Sequence, residues 1–241
     1  MSSSAPASAP APLPAEVPNA HRLDLSAEEW FDVLTPGGSQ TGQRKLRRLV
    51  HADGDWHASV HIWLLHSGDG RVLVQKRAST KDSFPSCWDV SCAGHISAGE
   101  SVAAGAIAEL QEELGITPPA SEQPDPFARF LRLLCVMPRE VISQAGRFID
   151  REHTSVFLCE GSWAAESLVL QAEEVDAVEW MELEQIVQAV RTGERGWVAI
   201  PDMEAYEKAV FEPIRERIKQ IRKKTQETSS SSSSSMDGKS A

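Results

Sequence analysis

Apolar positions along the chain change period several times, and those changes predict its elements. Residues 28–34 (Glu-Glu-Trp-Phe-Asp-Val-Leu) form a short apolar run that stops at Thr35-Pro36-Gly37-Gly38. A short strand or helical turn at the domain edge is expected, followed by a turn. From His57 the sequence alternates and becomes wholly apolar by Leu65; Ser67-Gly68-Asp69-Gly70 then interrupts it, and Val72, Leu73 and Val74 resume it. This is the pattern of two strands joined by a hairpin. Residues 88–93 predict one more short strand, ending at Gly94 where the backbone must bend. Residues 100–114 lack proline and place Val102, Ile107, Leu110 and Leu114 at helical spacing, with Gly115 suited to a left-handed cap. Residues 130–137, 155–159 and 179–180 read as strands, and 183–190 and 203–223 as helices. Strands on both sides of one central helix, with helices at the C-terminal end, specify a layered α/β sandwich.

Composition trims the folded part. Residues 2–18 are almost wholly Ser, Ala and Pro, and 229–235 are seven serines. Such segments bury too little apolar surface to offset the entropy of ordering. The expected organisation is a tail over 1–21, one domain over 22–224 and a second tail over 225–241. With 35 acidic against 24 basic residues the net charge is −11, which disfavours a nucleic-acid surface. A small anionic substrate needs only a local cation cluster or a metal. Cys87, Cys92, Cys135 and Cys159 have no zinc-binding spacing and read as free thiols in a reducing compartment. No stretch approaches the ~20 apolar residues of a membrane span. The cytoplasm is expected, with a plastid as the alternative suggested by the Ser/Ala-rich start.

Candidate chemistry is concentrated between Gly94 and Ile116. Glu109, Glu112 and Glu113 stand at i, i+3 and i+4, so they project from one face of the predicted helix. Alone, E-x-x-E-E is the pattern of a solvated face. A bound cation turns the mutual repulsion into coordination, and hard carboxylate oxygens on a rigid helix suit Mg²⁺ or Mn²⁺.

Together with Gly94, Glu100, Leu110, Gly115 and Ile116, these residues resemble the Nudix box, G-x5-E-x7-R-E-U-x-E-E-x-G-U, where U is a bulky aliphatic. The match departs at one place, where Ala108 replaces the arginine that orients the glutamates. Loss of such a supporting group weakens a metal site by ~10–100-fold. The resemblance implies a Nudix-type α/β/α sandwich with a mixed sheet and the catalytic loop-helix between strands. It also implies Mg²⁺ or Mn²⁺ held by Gly94, Glu109, Glu112 and Glu113, and hydrolysis of a diphosphate linkage to release a monophosphate.

Further motifs resemble the branch containing type I isopentenyl diphosphate isomerases and their hydrolase relatives. These are His57-x5-Trp63, Leu73-Val74-Gln75-Lys76-Arg77, Lys81-Asp82-x-Phe84-Pro85-x-x-Trp88 and Asp150-Arg151-Glu152. That resemblance puts Arg77 and Lys81 on the diphosphate and His57 and His95 beside the substrate. In the isomerases, the matching histidines and the acids matching Asp150 and Glu152 hold metal. The isomerases' cysteine before Gly-His is Ala93 here, and Cys92, one residue earlier on a strand, faces the other way. Hydrolysis is therefore expected, with Glu112, Glu113 or Glu152 as the base; the resemblance points to a short isoprenoid diphosphate as the substrate and leaves nucleotide-type diphosphates open. Two other readings stay open: an isomerase-like enzyme, or a non-catalytic diphosphate-binding module silenced by Ala108. The expected partner is a small-molecule diphosphate, with neither nucleic acid nor membrane, and the chain as a monomer or homodimer.

Overall fold

The computed structural model describes residues 28–81, 83–118, 130–143 and 146–234. The tail expected over 1–21 and the motif residue Asp82 lie outside them. β1 (Trp30–Leu34) and β2 (Gln40–Leu46) form a hairpin that leads into α1 (Arg47–Asp53). β3 (Trp56–His66) and β4 (Val72–Arg77) are the two strands predicted around Ser67–Gly70. β5 (Trp88–Asp89), β6 (Cys92–His95) and α2 (Val102–Leu114) follow. A long hairpin of β7 (Leu131–Ser143) and β8 (Phe148–Gly161) precedes β9 (Val175–Met181) and α3 (Leu183–Thr192). The described residues end in α4 (Met203–Tyr206), a π-helical turn over Glu207–Phe211, and α5 (Glu212–Ser234). This last helix continues past the expected boundary at 224.

Among the described residues, all nine strands belong to one mixed sheet with β3 at its centre. One edge of β3 pairs in parallel with β8 along its whole length, from Trp56↔Arg151 to His66↔Gly161. Its other edge is shared in turn by β1, β6 and β4, all antiparallel. The strand expected over 88–93 is therefore two strands: β5 pairs with β4 and β6 pairs with β3. Ser91 makes the switch. Its buried hydroxyl accepts from Leu64 N at 2.8 Å and donates to Leu73 O at 2.5 Å, filling the rung next to Leu65↔Val72. Nor does the strand end at Gly94, since the ladder continues through Val60↔Gly94 to Ser59↔His95.

The alternation on β3 divides the core into two layers. Val60, Ile62 and Leu64 face α2 through Ala106, Leu110 and Leu114. Trp63 and Leu65 face α3 and the C-terminal helix through Ile186, Phe211 and Ile214. Trp63 Nε1 donates to Tyr206 Oη at 2.9 Å, so the buried indole is satisfied. Leu110 and Leu114 are fully buried. Truncating either to alanine costs about 2–5 kcal/mol, and the same docking fixes the orientation of the glutamates beside them.

Candidate active site

α2 is held at both ends. Ser101 Oγ accepts from Ala104 N at 3.2 Å, and Gly115 closes the helix at φ 68° with its N–H on Gln111 O. With Leu110 and Leu114 inside, Glu109 becomes half-buried, Glu113 almost completely buried and Glu112 exposed. Glu113 Oε2 lies 3.4 Å from both Gln75 Nε2 and Ala93 N. Gly94 is required for a reason other than a bend: a Cβ there would stand 1.9 Å from Glu109 Oε1. The missing side chain is the cradle in which the Glu109 carboxylate lies against β6.

Crowding these acids disfavours their charged forms. Burial, then repulsion from Glu113 and Glu112, raises the Glu109 carboxyl from 4.5 to about 8. Burial, with Glu174 nearby and hydrogen bonds from Cys92 and Ala93 opposing, raises Glu113 to about 7. Cys92 itself is fully buried in the layer facing α2, its thiol pushed well up by burial and by Glu113. Ala93 lines the cleft, so the two neighbours do face opposite ways.

A second cluster lies behind Gly94. One ligand atom each from His51, His57, His95 and Asp150 falls within 4.8 Å of the others. His51 Nδ1 bonds Arg47 O at 2.9 Å and His57 Nδ1 bonds Asp55 O at 3.1 Å. A carbonyl cannot donate, so each Nδ1 carries the proton and, in the neutral ring, leaves Nε2 as a lone pair. Those two Nε2 atoms, His95 Nε2 and Asp150 Oδ1 are all buried without a hydrogen-bond partner. Asp150 Oδ1 stands 3.5 Å from His51 Nε2 and 3.4 Å from His57 Nε2, near but not aligned for bonding. Burial raises the Asp150 carboxyl, while His51 and His57, in forms that carry a proton on Nε2, draw it well below the usual carboxylate range. Orphaned nitrogens whose partner N–H is fixed by the backbone are what a metal-ligating histidine set presents. His51 was invisible in the sequence because α1 carries no amphipathic signal of its own. His57, expected at the substrate, is fully buried and belongs to this cluster instead.

The other predicted residues meet in one cleft of about 310 Å³. Arg77, Lys81, Gly94, His95, Glu109, Glu112, Glu113 and Glu152 all line it. Its cations are already engaged: Arg77 with Asp89 at 3.3 Å, Arg47 with Glu29 at 2.7 Å, Arg139 with Glu152 at 2.8 Å, and Lys81 with Glu174. Arg139, Asp89 and Glu174 escaped the sequence reading because nothing in local spacing marks them. Glu152 is almost completely buried. Burial pushes its carboxyl up, but the adjacent His95 imidazole and the Arg139 charge hold it at about 2. An acid so held is a poor base. Beside Ala108 a second hollow of about 490 Å³ is lined by Glu29, Glu100, Glu109 and Glu112, and alanine leaves it without the arginine of the box.

A helix carrying the Nudix-box glutamates, set against a mixed sheet with those carboxylates opened onto a polar cleft, defines the class, and the comparisons agree. Residues 55–202 match the model of the NUDIX domain, and the chain belongs to that family. It is 38% identical over 193 residues to Nudix hydrolase 3 of Arabidopsis thaliana, covering 79% of this chain but 24% of that protein. The chain thus spans about a quarter of that relative's length. It is also 44% identical over 85 residues to an isopentenyl-diphosphate Delta-isomerase of Nocardia farcinica, 35% of this chain and 48% of the isomerase. In fold it resembles the crystal structure of a Deinococcus radiodurans protein at a TM-score of 0.55 and 17% identity, covering 76% of this chain and 99% of that one.

Proposed function

We propose that the chain hydrolyses a diphosphate linkage with a divalent cation, Mg²⁺ or Mn²⁺, and that short isoprenoid diphosphates are its substrates. One observation carries the reading: Glu109, Glu112 and Glu113 on one helix face, Glu109 packed against Gly94, line a single cleft together with Arg77 and Lys81. Glu109 is raised to about 8 by burial and by Glu113 and Glu112, and Glu113 to about 7 by burial and Glu174, a cost that a cation removes.

Glu109, Glu112 and Glu113, with the Gly94 carbonyl, would hold the cation, and their all-oxygen set suits Mg²⁺ or Mn²⁺. When bound, such a cation neutralises diphosphate oxygens and lowers the pKa of water. Arg77 and Lys81 exchange Asp89 and Glu174 for the substrate's oxygens and stabilise charge on the transferred and leaving groups. Glu112, the exposed member of the set, takes the proton as water attacks phosphorus, with Glu113 as the alternative base. The P–O bond to the bridging oxygen breaks, giving a monophosphate and phosphate. Glu152, paired with Arg139, positions that arginine rather than accepting a proton.

The isomerase reading has one observation in its favour, the His51, His57, His95 and Asp150 cluster, and one against it, Ala93 in place of the reactive cysteine. Phosphate release from a panel of isoprenoid and nucleotide-type diphosphates, with Mg²⁺ or Mn²⁺, tests the proposal. Release that chelation and Glu112→Gln both abolish supports it. Silence across the panel, or equal rates in the two proteins, refutes it. No helix among the described residues is long and apolar enough to cross a membrane.

A further inference from the structure

Alternation along β4 sends Leu73, Gln75 and Arg77 to the face that meets α2. Leu73 lies in the core layer beneath that helix, and Arg77 lines the cleft. Gln75 stands between them, 1% exposed. A primary amide is a costly occupant of such a place unless its polar atoms are matched. Leucine or methionine would pack there without that cost, so the glutamine needs a reason.

Its contacts supply one. Gln75 Nε2 donates to Glu113 Oε2 at 3.4 Å, while Oε1 is buried without a hydrogen-bond partner among the described residues. Turned round, the amide would aim a carbonyl at a carboxylate, and two acceptors cannot bond. Glu113 therefore sets the orientation of the amide, and the orphaned Oε1 is the cost of holding it there.

The Glu113 carboxylate meets a second donor on the same oxygen, Ala93 N at 3.4 Å. One donor comes from β4 and the other from β6, so two strands converge on Oε2. Both bonds are long, and neither alone would fix the side chain. Together they occupy one oxygen and leave the other to the cleft that Glu113 lines. Glu109 is placed differently, by the space at Gly94 that its carboxylate fills.

We propose that Gln75 is a positioning residue: its amide draws Glu113 Oε2 to the sheet, presents Oε1 to the cation and so raises the affinity for Mg²⁺. The inference rests on the divalent-cation reading of the box glutamates and adds a residue from outside the box. Without the amide, Glu113 keeps side-chain freedom that cation binding must remove. Loss of a supporting hydrogen bond of this kind weakens a metal site by ~10–100-fold.

The test titrates the full chain with Mg²⁺ by calorimetry, without substrate. Mg²⁺ reports on the all-oxygen glutamate set, because imidazole ligands suit it poorly. Gln75→Met fills the same space and removes both the donor and the unpartnered Oε1. It is expected to bind Mg²⁺ about tenfold more weakly than wild type and to need about tenfold more Mg²⁺ for half-maximal phosphate release, with the KM for diphosphate within about twofold once Mg²⁺ is saturating. Its melting midpoint in chelator is expected to stay close to the wild-type value, since an apolar group of the same shape replaces a poorly satisfied buried amide at little cost. The comparison is repeated with Glu113→Gln in both backgrounds, where the effect of Gln75→Met is expected to fall below about twofold. A tenfold effect that persists there acts through something other than Glu113 and overturns the inference. Equal Mg²⁺ affinity in Gln75→Met and wild type, whatever the midpoint does, also overturns it and leaves the cation reading standing. No Mg²⁺ binding by wild-type protein overturns both.

Discussion

Removing the charge of Glu109 should stabilise the metal-free protein, and only at high pH. A carboxyl with a higher pKa folded than unfolded favours the folded state while it is protonated. Its contribution is complete below the unfolded value and is lost as pH rises through the folded one. For Glu109 that window runs from 4.5 to about 8, and for Glu113 from 4.5 to about 7. At about 1.4 kcal/mol per tenfold change in proton affinity, these amount to about 5 and about 3 kcal/mol. Because the Glu109 value already contains the repulsion from a charged Glu113, we expect less than the sum, roughly 5 kcal/mol for the pair, or about 10–20 °C in the melting midpoint of a domain this size. The low values of Glu152 and Asp150 act in the opposite sense: their contribution is complete above the unfolded value and is lost as pH falls below it, on the acid side of this window. The assay is thermal unfolding in chelator at several pH values, repeated with saturating Mg²⁺. Wild-type protein should melt progressively lower as pH rises across the window, and Mg²⁺ should restore the midpoint at the alkaline end while changing little at the acidic end. Glu109→Gln should flatten most of the slope. A wild-type midpoint indifferent to pH and Mg²⁺, or a Glu109→Gln protein with the same slope, would refute the reasoning.

Three further substitutions probe separate parts. Gly94→Ala puts a methyl group into the space of the Glu109 carboxylate and should lower phosphate release at least ~100-fold, while calorimetric unfolding shows a stability change within ~2 kcal/mol. Ala108→Arg fills the acidic hollow beside the box; the Mg²⁺ concentration for half-maximal activity should fall about tenfold, and continued silence on every diphosphate would favour a binding module. Ser91→Ala leaves Leu64 N and Leu73 O buried without partners, so denaturant unfolding should register a loss of about 2–4 kcal/mol with the Mg²⁺ response retained.

Local pattern carried the layered class, the β3–β4 pair, α2 and its glutamate face, because each rests on periodicity within a dozen residues. It failed where tertiary contacts decide. Residues 88–93 look like one strand, yet the Ser91 hydroxyl is held by two different strands and divides them. β2 has almost no buried side chain to mark it, and α1 is a single short helix, so His51 went unseen beside His57. A bend was expected at Gly94; what excludes a side chain there is instead the Glu109 carboxylate, fifteen residues on. Glu152 was a candidate base or metal ligand in sequence; the β7–β8 register, Arg139↔Glu152, supplies an arginine partner that local spacing does not mark.

Phosphorus NMR of an isoprenoid diphosphate incubated with wild-type protein and Mg²⁺ tests the proposed chemistry most directly. The coupled diphosphate resonances should give way to a monophosphate ester and inorganic phosphate, and should persist unchanged with Glu112→Gln. Diphosphate resonances that remain coupled while the hydrocarbon rearranges, or that decay equally in both proteins, would contradict it.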